Sequence, residues 1–460
     1  MNATVKVDRM QYGVGQGGFH AQQIRVTSNV EGVEIEPYRF VYDCGSDTAA
    51  IKTGQSKPLV WAIQHFSDND DPKRVDKLRV DSLYLSHFQK DHIDGAKRLA
   101  ELVDLKEIVI PYLSREQVLH ILGQQISSGA LTALTPDVQE YLAVLGRVAG
   151  EGPIISGVPT TRVRPGGEAT SQAGGNDARP ELQLGDIGAG NYRLGHQGSV
   201  GTAWGHAASR LMHIQTGKVG SRVSSDFWEL RVWSYAQDAA LSNAVVAALS
   251  ALNEAPGKPA LPQMVQGIID LNEMAWAIKH RKEIQDAYEQ ALKSHGVTPA
   301  GDHNVVSLCL HSGPTPSMTY DSYRPYGTKA CFLQCLIGRG DASSWLGTGD
   351  ALLERSKVWA DFCRHFTLDD IDRLQQWQTV LMPHHGSGSG GNFNPDLLKG
   401  PVQHAVFSAG AFNKFCHPSR RVLEAVADTS TAAVIVTEFS RPGFFESLTY
   451  SLCPTAWGSW

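Results

Sequence analysis

The chain has 460 residues, 42% of them hydrophobic and 19% charged, and a formal net charge of −6 at pH 7. The acidic balance excludes a long basic groove for nucleic acid, so such a groove has to be local. Without an apolar run of about 18 residues or a signal-peptide-like start, we expect a cytoplasmic protein with no membrane contact. Seven cysteines without a CxxC pair indicate free thiols.

The first part of the chain alternates short apolar runs with turn residues. Alternating apolar residues predict strands, and leucines at helical spacing predict an amphipathic helix. The predicted strands are QQIRV, YRFVYDCG, DSLYLSH and EIVIP, and the predicted helix is DGAKRLAELVDL. We assign residues 1–115 to the first half of an α/β fold.

The middle segment, residues 116–299, is interpreted as an insertion in that fold. Residues from about 150 to 205 are rich in Gly, Pro, Ser and Thr, so they bury little apolar surface and are expected to form loops or disorder. After a strand-like FWELRVWSY, helical spacing continues over about 237–296. We expect the insertion to form a lid or a specificity wall, or to bind a protein partner.

The α/β pattern resumes in residues 300–460, which we assign to the second half of the fold. The predicted strands are NVVSLCLHSG, KACFLQCLIG, SSWLGTGDA, QTVLMPHHGSGSGG and HAVFSAG, and SRRVLEAVAD predicts a helix. Several of these strands run into loops that carry His and Asp. Such loops are the places where an α/β sandwich builds a site.

The stretch SHFQKDHIDG places four polar side chains in the loop after a predicted strand: His87, Gln89, Asp91 and His92. Imidazole nitrogen and carboxylate oxygen together suit Zn²⁺, and a larger share of oxygen suits Mn²⁺ or Fe²⁺. The same residues also occur together in solvent-exposed loops that bind no metal. This segment alone leaves both interpretations open.

Three later segments add candidate residues. Asp350 follows a strand and a Gly-Thr-Gly turn. His384 and His385 follow another predicted strand, and adjacent histidines on a loop usually include one that is not a ligand. Asn413 and His417 precede the last predicted helix, whose first turn is rich in arginine and is therefore a natural site for an anion such as phosphate.

In this order, the segments resemble the metallo-β-lactamase superfamily, and within it most of all the hydrolase domain of the competence DNA-uptake channel ComEC. The matching segments are YGVGQGG, YDCGS, SHFQKDHIDG, NVVSLCL, GTGDA, PHHGSG and SAGAFNKFCHPS. They span about residues 5–112 and 300–450 and leave the middle segment unmatched.

The resemblance implies a metallo-β-lactamase αββα sandwich with a large, mostly loop-plus-helical insertion. It also implies a metal centre with one or two Zn²⁺ ions, or Mn²⁺ as the alternative. The implied ligands are His87, Asp91, His92, Asp350 and His384, with His385 as the alternative to His384. On the substrate side it implies Asp91, Asn413 and His417, with His417 as a general acid.

Two departures affect one of the two metal positions that the superfamily builds. Gln89 stands where a His or Asp is expected, and a neutral amide oxygen is a poorer ligand than either. No segment supplies the superfamily's intermediate His, for which His303 is the candidate replacement. The other position is complete, with Asp91, His92, Asp350 and His384.

Three functions fit these residues. The first is a metal-dependent hydrolase, a phosphodiesterase or nuclease, that activates water and acts on a phosphodiester or nucleic-acid-like substrate. The second is a binding or scaffold protein with impaired catalysis, which Gln89, the acidic charge and the insertion favour. The third is a hydrolase of lactone, thioester or β-lactam bonds. The oligomeric state is not predicted.

Overall fold

The computed structural model describes residues 3–28, 37–47, 58–68, 76–150, 152–163, 169–170, 213–217, 220–224, 228–235, 239–252, 261–265, 268–296, 306–314, 320–325, 344–368, 373–374 and 377–452. Most of the predicted loop segment at about 150–205 lies outside the described residues. The predicted strand KACFLQCLIG and His303 also lie outside them.

The first part of the chain forms short strands followed by helices. Its elements are β1 (Ala3–Tyr12), β2 (His20–Ser28), β3 (Tyr38–Tyr42), α1 (Pro58–Ser67), β4 (Arg79–Val80), β5 (Ser82–Tyr84), α2 (Lys90–Ile93), α3 (Ala96–Leu102), β6 (Asp104–Leu105), β7 (Ile108–Pro111), α4 (Arg115–Ser128), α5 (Pro136–Val148), β8 (Thr160–Val163) and β9 (Ala169–Thr170).

The second part adds strands on both sides of a helical stretch. Its elements are β10 (His213–Gly217), β11 (Gly220–Ser224), β12 (Trp228–Ser234), α6 (Ala239–Ala251), β13 (Met264–Val265), β14 (Ile268–Ile269), α7 (Leu271–Lys279), α8 (Arg281–Ser294), β15 (Leu308–Pro314), β16 (Tyr320–Pro325), β17 (Trp345–Gly347), α9 (Ser356–Phe366), β18 (Thr367–Leu368), β19 (Arg373–Leu374), β20 (Thr379–Leu381), β21 (His404–Ser408), α10 (Arg420–Ala427), β22 (Ala432–Val436) and β23 (Gly443–Leu452).

Two large sheets organise these elements within the described part of the chain. The strand order is β16-β23-β1-β2-β3-β5-β7-β8-β9 in the first sheet and β10-β11-β12-β15-β17-β20-β21-β22 in the second. Each sheet contains a parallel block, β3-β5-β7-β8 in the first and β17-β20-β21-β22 in the second. Because parallel strands open their carboxyl ends at one edge, the loops that follow them lie together.

The two sheets pack face to face through large buried side chains. Tyr42 of the first sheet meets Trp345 of the second edge to face, with 5.4 Å between ring centroids. The Tyr42 hydroxyl donates a hydrogen bond of 2.6 Å to the Leu308 carbonyl at the start of β15. Such aromatic pairs add specific geometry to the burial of apolar surface. The interior between the sheets is therefore a packed core.

Helices cover the outer faces of both sheets. Helices α1, α3, α4 and α5 pack their apolar sides against the first sheet, and α6 and α8 extend this layer by packing on α4. Helices α9 and α10 pack against the second sheet. The layers are thus helix, sheet, sheet and helix, which confirms the predicted α/β class and its αββα sandwich architecture. In the described ranges, no helix is both long enough and apolar enough to cross a bilayer.

Several elements differ from the predictions or add to them. The predicted helix DGAKRLAELVDL ends at Leu102, because Asp104–Leu105 pair with β4 as strand β6. The start of the predicted helical stretch MVQGII instead forms the short hairpin β13–β14. Helices α4 and α5 were not predicted, although Ser114 and Gln117 form a capping box at the start of α4. Within residues 116–299, β8 and β9 join the first sheet and β10–β12 the second.

Candidate metal centre

The loop after β5 carries the first group of candidate ligands. The chain leaves β5, passes His87, and enters the short helix α2 that holds Asp91 and His92. The ligand atoms of these three residues lie within 4.8 Å of one another. Both imidazoles are buried. This group can hold a metal ion, as the sequence predicted for this loop.

Neighbouring backbone fixes the shape of this loop. The Gly18 N–H donates to the Asp91 carbonyl at 3.0 Å, and the Cys44 N–H donates to the His92 carbonyl at 2.8 Å. A Cβ atom on Gly45 would lie 2.5 Å from the Asp91 carbonyl carbon, so only glycine allows this approach. From α5, the buried Tyr141 hydroxyl donates to the Phe88 carbonyl at 2.8 Å. The candidate ligands therefore sit on a supported loop.

Asp350 brings a carboxylate from the second sheet to this group. It follows β17, is 1% exposed, and its backbone N–H donates to Ser307 Oγ at 2.9 Å. Its Oδ1 lies 3.6 Å from His92 Nε2, and its Oδ2 lies 3.5 Å from His87 Nε2. The carboxylate thus offers one oxygen to each imidazole, which is the arrangement of a bridging ligand.

His384 and His385 both lie at the centre, whereas the sequence predicts that at most one of them, His384, is a ligand. They follow β20 in a 3₁₀ turn, Pro383–Gly386, and have left-handed φ angles of 47° and 56°. His385 Nε2 lies 3.3 Å from Asp91 Oδ2, and His384 Nε2 lies 3.6 Å from Asp350 Oδ2. His385, Asp350 and His92 form a second group that could hold a metal. His385, rather than the preferred His384, therefore lies beside Asp91.

All four imidazoles have their Nδ1 atoms engaged away from the centre. The contacts are His87 with Ser86 Oγ at 2.9 Å, His92 with Asp43 Oδ2 at 2.7 Å, His384 with Asn392 Oδ1 at 3.0 Å, and His385 with the Ser408 carbonyl at 2.7 Å. Each acceptor favours a proton on Nδ1 and leaves the Nε2 lone pair directed inward, as in protein metal sites. The Ser86 hydroxyl accepts from His87 because it donates to Asp43 at 2.8 Å.

One unsatisfied atom supports the fit of this ligand set to a cation. His92 Nε2 is buried and has no hydrogen-bond partner among the described residues. Leaving a buried imidazole nitrogen unpaired costs free energy unless another group, such as a metal, occupies its lone pair. The nitrogen faces Asp350 Oδ1 across 3.6 Å. The donor set therefore fits a divalent metal ion.

The carboxylates at the centre are ionised at neutral pH. Burial raises the pKa of Asp91, but the imidazoles of His92 and His385 outweigh burial and hold that pKa at about 2. Burial also raises the pKa of Asp350, and the neighbouring imidazoles, His384 foremost, more than offset it and lower the pKa well below its usual range. The centre thus holds two negative charges, one on the buried Asp350 and one on the partly exposed Asp91, and a divalent cation would neutralise both.

Asp43 orients the buried His92. Its carboxylate accepts from the Ser86 N–H at 2.6 Å, from Ser86 Oγ at 2.8 Å and from His92 Nδ1 at 2.7 Å. Its φ of 58° is left-handed, a conformation that Asp and Asn tolerate better than most residues. The Asp of the YDCGS motif therefore holds the imidazole of His92, one of the candidate ligands.

Replacing Asp43 with Asn is expected to weaken metal binding about 10- to 100-fold. An amide keeps the size and tolerates the backbone angle, but its single oxygen cannot accept all three hydrogen bonds. The measurement is competition with a metal-sensitive dye. The matched control is Asp68→Asn, since Asp68 is exposed and accepts a hydrogen bond from the exposed Gln64 in the preceding helix turn. Unchanged affinity in Asp43→Asn would show that Asp43 does not orient a ligand.

Gln89 lies at the His87 side of the centre. It is the residue before α2, and its Oε1 is 3.2 Å from His87 Nε2, the nitrogen that faces Asp350. The side chain therefore reaches the place that an imidazole or carboxylate would occupy in the predicted motif. As an amide, it offers a neutral oxygen in place of a charged or more basic ligand.

Asn413 and His417 lie in the loop after β21, next to the centre. The His417 ring is 5.5 Å from the His384 ring, and burial, followed by the His384 imidazole, lowers the pKa of His417 to about 4. His417 is therefore neutral at pH 7. The Asn413 amide donates to the carbonyls of Gly410 and His417, both at 2.7 Å, and accepts from the His417 N–H at 2.8 Å. These contacts make Asn413 the residue that positions His417.

The predicted anion site at the start of α10 contains arginines that are engaged in ion pairs. Arg420 pairs with Glu424 at 2.7 Å, and Arg421 pairs with Glu354 at 2.5 Å. The Ser419 side chain accepts from the Val422 N–H and caps the helix. These groups stabilise the end of the loop that carries His417.

Asn392 is a site residue that the sequence analysis missed. Its amide nitrogen donates to the Asp350 carbonyl at 2.8 Å, while its oxygen faces His384 Nδ1. It is 1% exposed. Asn392 therefore ties two candidate ligands together. No feature of the sequence marks Asn392 as a site residue, because an Asn in a glycine-rich stretch such as the one after His385 is ordinarily a turn residue.

Comparisons with known proteins add little to this description. No family model matches the sequence, and no curated protein matches it. Among solved structures, a long form RNase Z from yeast is similar with 8% identity and a TM-score of 0.28, over 95% of this chain and 36% of that chain. This chain thus covers little more than a third of that protein. A likeness at this TM-score carries no argument about activity, so the fold rests on the sheets and layers described above.

Proposed function

We propose that this chain is a metal-dependent hydrolase of phosphodiesters, with nucleic acid as its substrate class. The observation that supports this most is the convergence of four inward-facing imidazole nitrogens and two ionised carboxylates at one place between the sheets. The motif order that resembles the ComEC hydrolase domain supports the choice of phosphodiester over other bonds.

We assign two metal positions to the centre. The first would be held by His92, His385, Asp91 and Asp350, and the second would be held by His87, His384, Asp350 and Gln89. His384 thereby takes the part that the sequence analysis reserved for His303. An imidazole-rich set with carboxylates suits Zn²⁺, and the added amide oxygen makes Mn²⁺ the alternative in the second position. A bound divalent ion supplies Lewis acidity, which lowers the pKa of water and offsets phosphate charge.

The protein's own residues then arrange the reactants. Asp91, beside His385, is ionised and accepts a hydrogen bond from the attacking water, which orients a lone pair toward phosphorus. His417 is neutral and next to His384, so it donates a hydrogen bond to a phosphate oxygen rather than acting as a strong acid. Asn413 keeps the His417 backbone in place. The supported loops exclude bulk water from the buried imidazoles.

The decisive experiment measures metal content and turnover on the same purified protein. We expect between one and two equivalents of metal and hydrolysis of bis-p-nitrophenyl phosphate that a chelator abolishes and Zn²⁺ or Mn²⁺ restores. Hydrolysis of a lactone, thioester or β-lactam without phosphodiester turnover would overturn the substrate class and leave the metal centre standing. Absence of both metal and turnover would favour the binding or scaffold protein instead.

Replacing Gln89 with His is expected to raise affinity at the second position about tenfold or more, because an imidazole replaces a neutral amide beside His87. The readout is the weaker of the two metal-binding constants, measured by titration calorimetry. Gln89→Ala is the matched control and is expected to weaken the same constant. Equal constants in wild type and Gln89→Ala would show that the amide is not a ligand. A gain in metal without a gain in turnover would favour chemistry at the first position alone.

A further inference from the structure

An exposed aromatic rim borders the candidate metal centre. It consists of Phe412, Phe415 and Phe439, which are 88%, 52% and 61% exposed. Phe412 and Phe415 lie in the loop after β21, and Phe439 lies in the loop after β22. Because β20, β21 and β22 are parallel neighbours, these loops open at the same edge as the turn that carries His384. The rim therefore lies beside the centre and faces solvent.

A continuous series of rings joins the rim to the centre. The Phe415 ring lies 5.7 Å from the His417 ring at an interplanar angle of 17°, and the His417 ring lies 5.5 Å from that of His384. On the solvent side, Lys414 Nζ is 4.9 Å from the Phe415 ring centroid. A ligand that reaches His384 from this direction therefore passes aromatic faces and one cation.

The rim is held by polar contacts of its loops rather than by burial of its rings. The Asn413 amide closes the loop between Gly410 and His417, and Glu438 accepts from the Ala411 N–H at 2.9 Å. Phe412 and Phe439 meet edge to face at 6.1 Å between centroids. Three large apolar rings presented to water on a fixed backbone are typical of a binding surface.

We propose that this rim stacks unpaired nucleobases of a single-stranded nucleic acid whose phosphodiester lies at the metal centre. The proposal rests on the proposed function and names its substrate. Flat aromatic faces next to a cation match a strand with exposed bases and charged phosphates. In a duplex the base faces are stacked on one another and cannot reach the rim. Lys414 leaves the Phe415 ring to contact a phosphate when a base takes its place.

The test measures binding separately from turnover. Fluorescence anisotropy with labelled 12-nucleotide single-stranded DNA and RNA uses the full chain carrying Asp350→Asn, so that cleavage does not interfere. In this background, Phe412→Ala and Phe415→Ala are each expected to weaken binding about tenfold, and Phe415→Trp is expected to restore it. Lys414→Ala is expected to reduce the slope of log Kd against log salt concentration by about one unit, which corresponds to the loss of one phosphate contact. Comparing the Kd values for DNA and RNA identifies which of the two nucleic acids the rim prefers.

The control is Ile268→Ala, which removes an exposed apolar side chain, 70% exposed, from β14. Equal losses in this control and the rim variants, or tight binding of a duplex, would overturn the proposal. Binding to anionic vesicles but not to oligonucleotides would assign the rim to a lipid surface instead. Binding that depends on the rim, without turnover by the wild type, would refute the proposed hydrolase activity and support the rim as a binding surface. Turnover of oligonucleotides that is unchanged when the three phenylalanines are replaced would refute the role of the rim and support the hydrolase activity.

Discussion

Asp350→Asn is expected to lower turnover of bis-p-nitrophenyl phosphate at least about a thousandfold and to reduce metal content in both positions. Asp350 is the residue whose two oxygens face two different imidazoles, His92 at 3.6 Å and His87 at 3.5 Å. Asparagine has the same shape but one neutral oxygen, so neither position keeps its shared negative ligand. The measurements are kcat and metal content by mass spectrometry on the same sample.

The matched control for this substitution is Asp396→Asn, which removes a surface carboxylate paired with Lys399 at 2.6 Å. It is expected to keep metal and turnover. Circular dichroism and the melting temperature in chelator show whether Asp350→Asn folds like the wild type. A folded Asp350→Asn protein that retains metal and turnover would refute the assignment of a shared ligand, and with it the proposed centre.

The second large effect separates His385 from His384. His385→Ala is expected to abolish turnover, because we propose that His385 joins Asp91 and His92 in the first metal position, the one without a neutral ligand. In the same proposal His384→Ala would remove a ligand from the position that contains Gln89, so its expected loss is smaller, about 10- to 100-fold. The measurements are kcat and the metal bound per chain, which each variant lowers to about one equivalent.

Each histidine also supplies the control for the other, since the two residues are adjacent and share a turn. The order of the two losses is the informative result. If His384→Ala abolishes turnover and His385→Ala is mild, the choice made from the sequence resemblance is right and the geometric assignment is wrong. Equal and small losses would show that neither imidazole is a ligand.

Most of the fold could be predicted because its strands are short apolar runs that end in turn residues. QQIRV, EIVIP and HAVFSAG coincide with β2, β7 and β21, and the large sheets follow from them. Short local pairings were harder to predict. The MVQGII stretch has helical spacing, yet β13 pairs with β14 within it, because a short apolar run fits a strand pair as well as a helix.

The candidate site was predictable in composition and less so in geometry. The sequence analysis selected His87, Asp91, His92 and Asp350, and the structure brings them together. It did not place two adjacent histidines in one centre, because neighbouring side chains on an extended loop point in different directions. The left-handed φ angles of both His384 and His385 turn them toward the same carboxylates, and nothing in a His-His pair indicates such angles before the fold is known.

The contact of His385 with Asp91 joins residues 294 positions apart and connects the two sheets. An ion held by both residues, as we propose, would act as a cross-link that closes a very long loop, and long loops are the ones whose closure removes the most chain entropy. Ligand binding only to the native state stabilises it by about 2.7 kcal/mol at a hundredfold excess over Kd. Metal binding at the centre would therefore couple the two sheets into one cooperative unit, because neither sheet could unfold without releasing the ion.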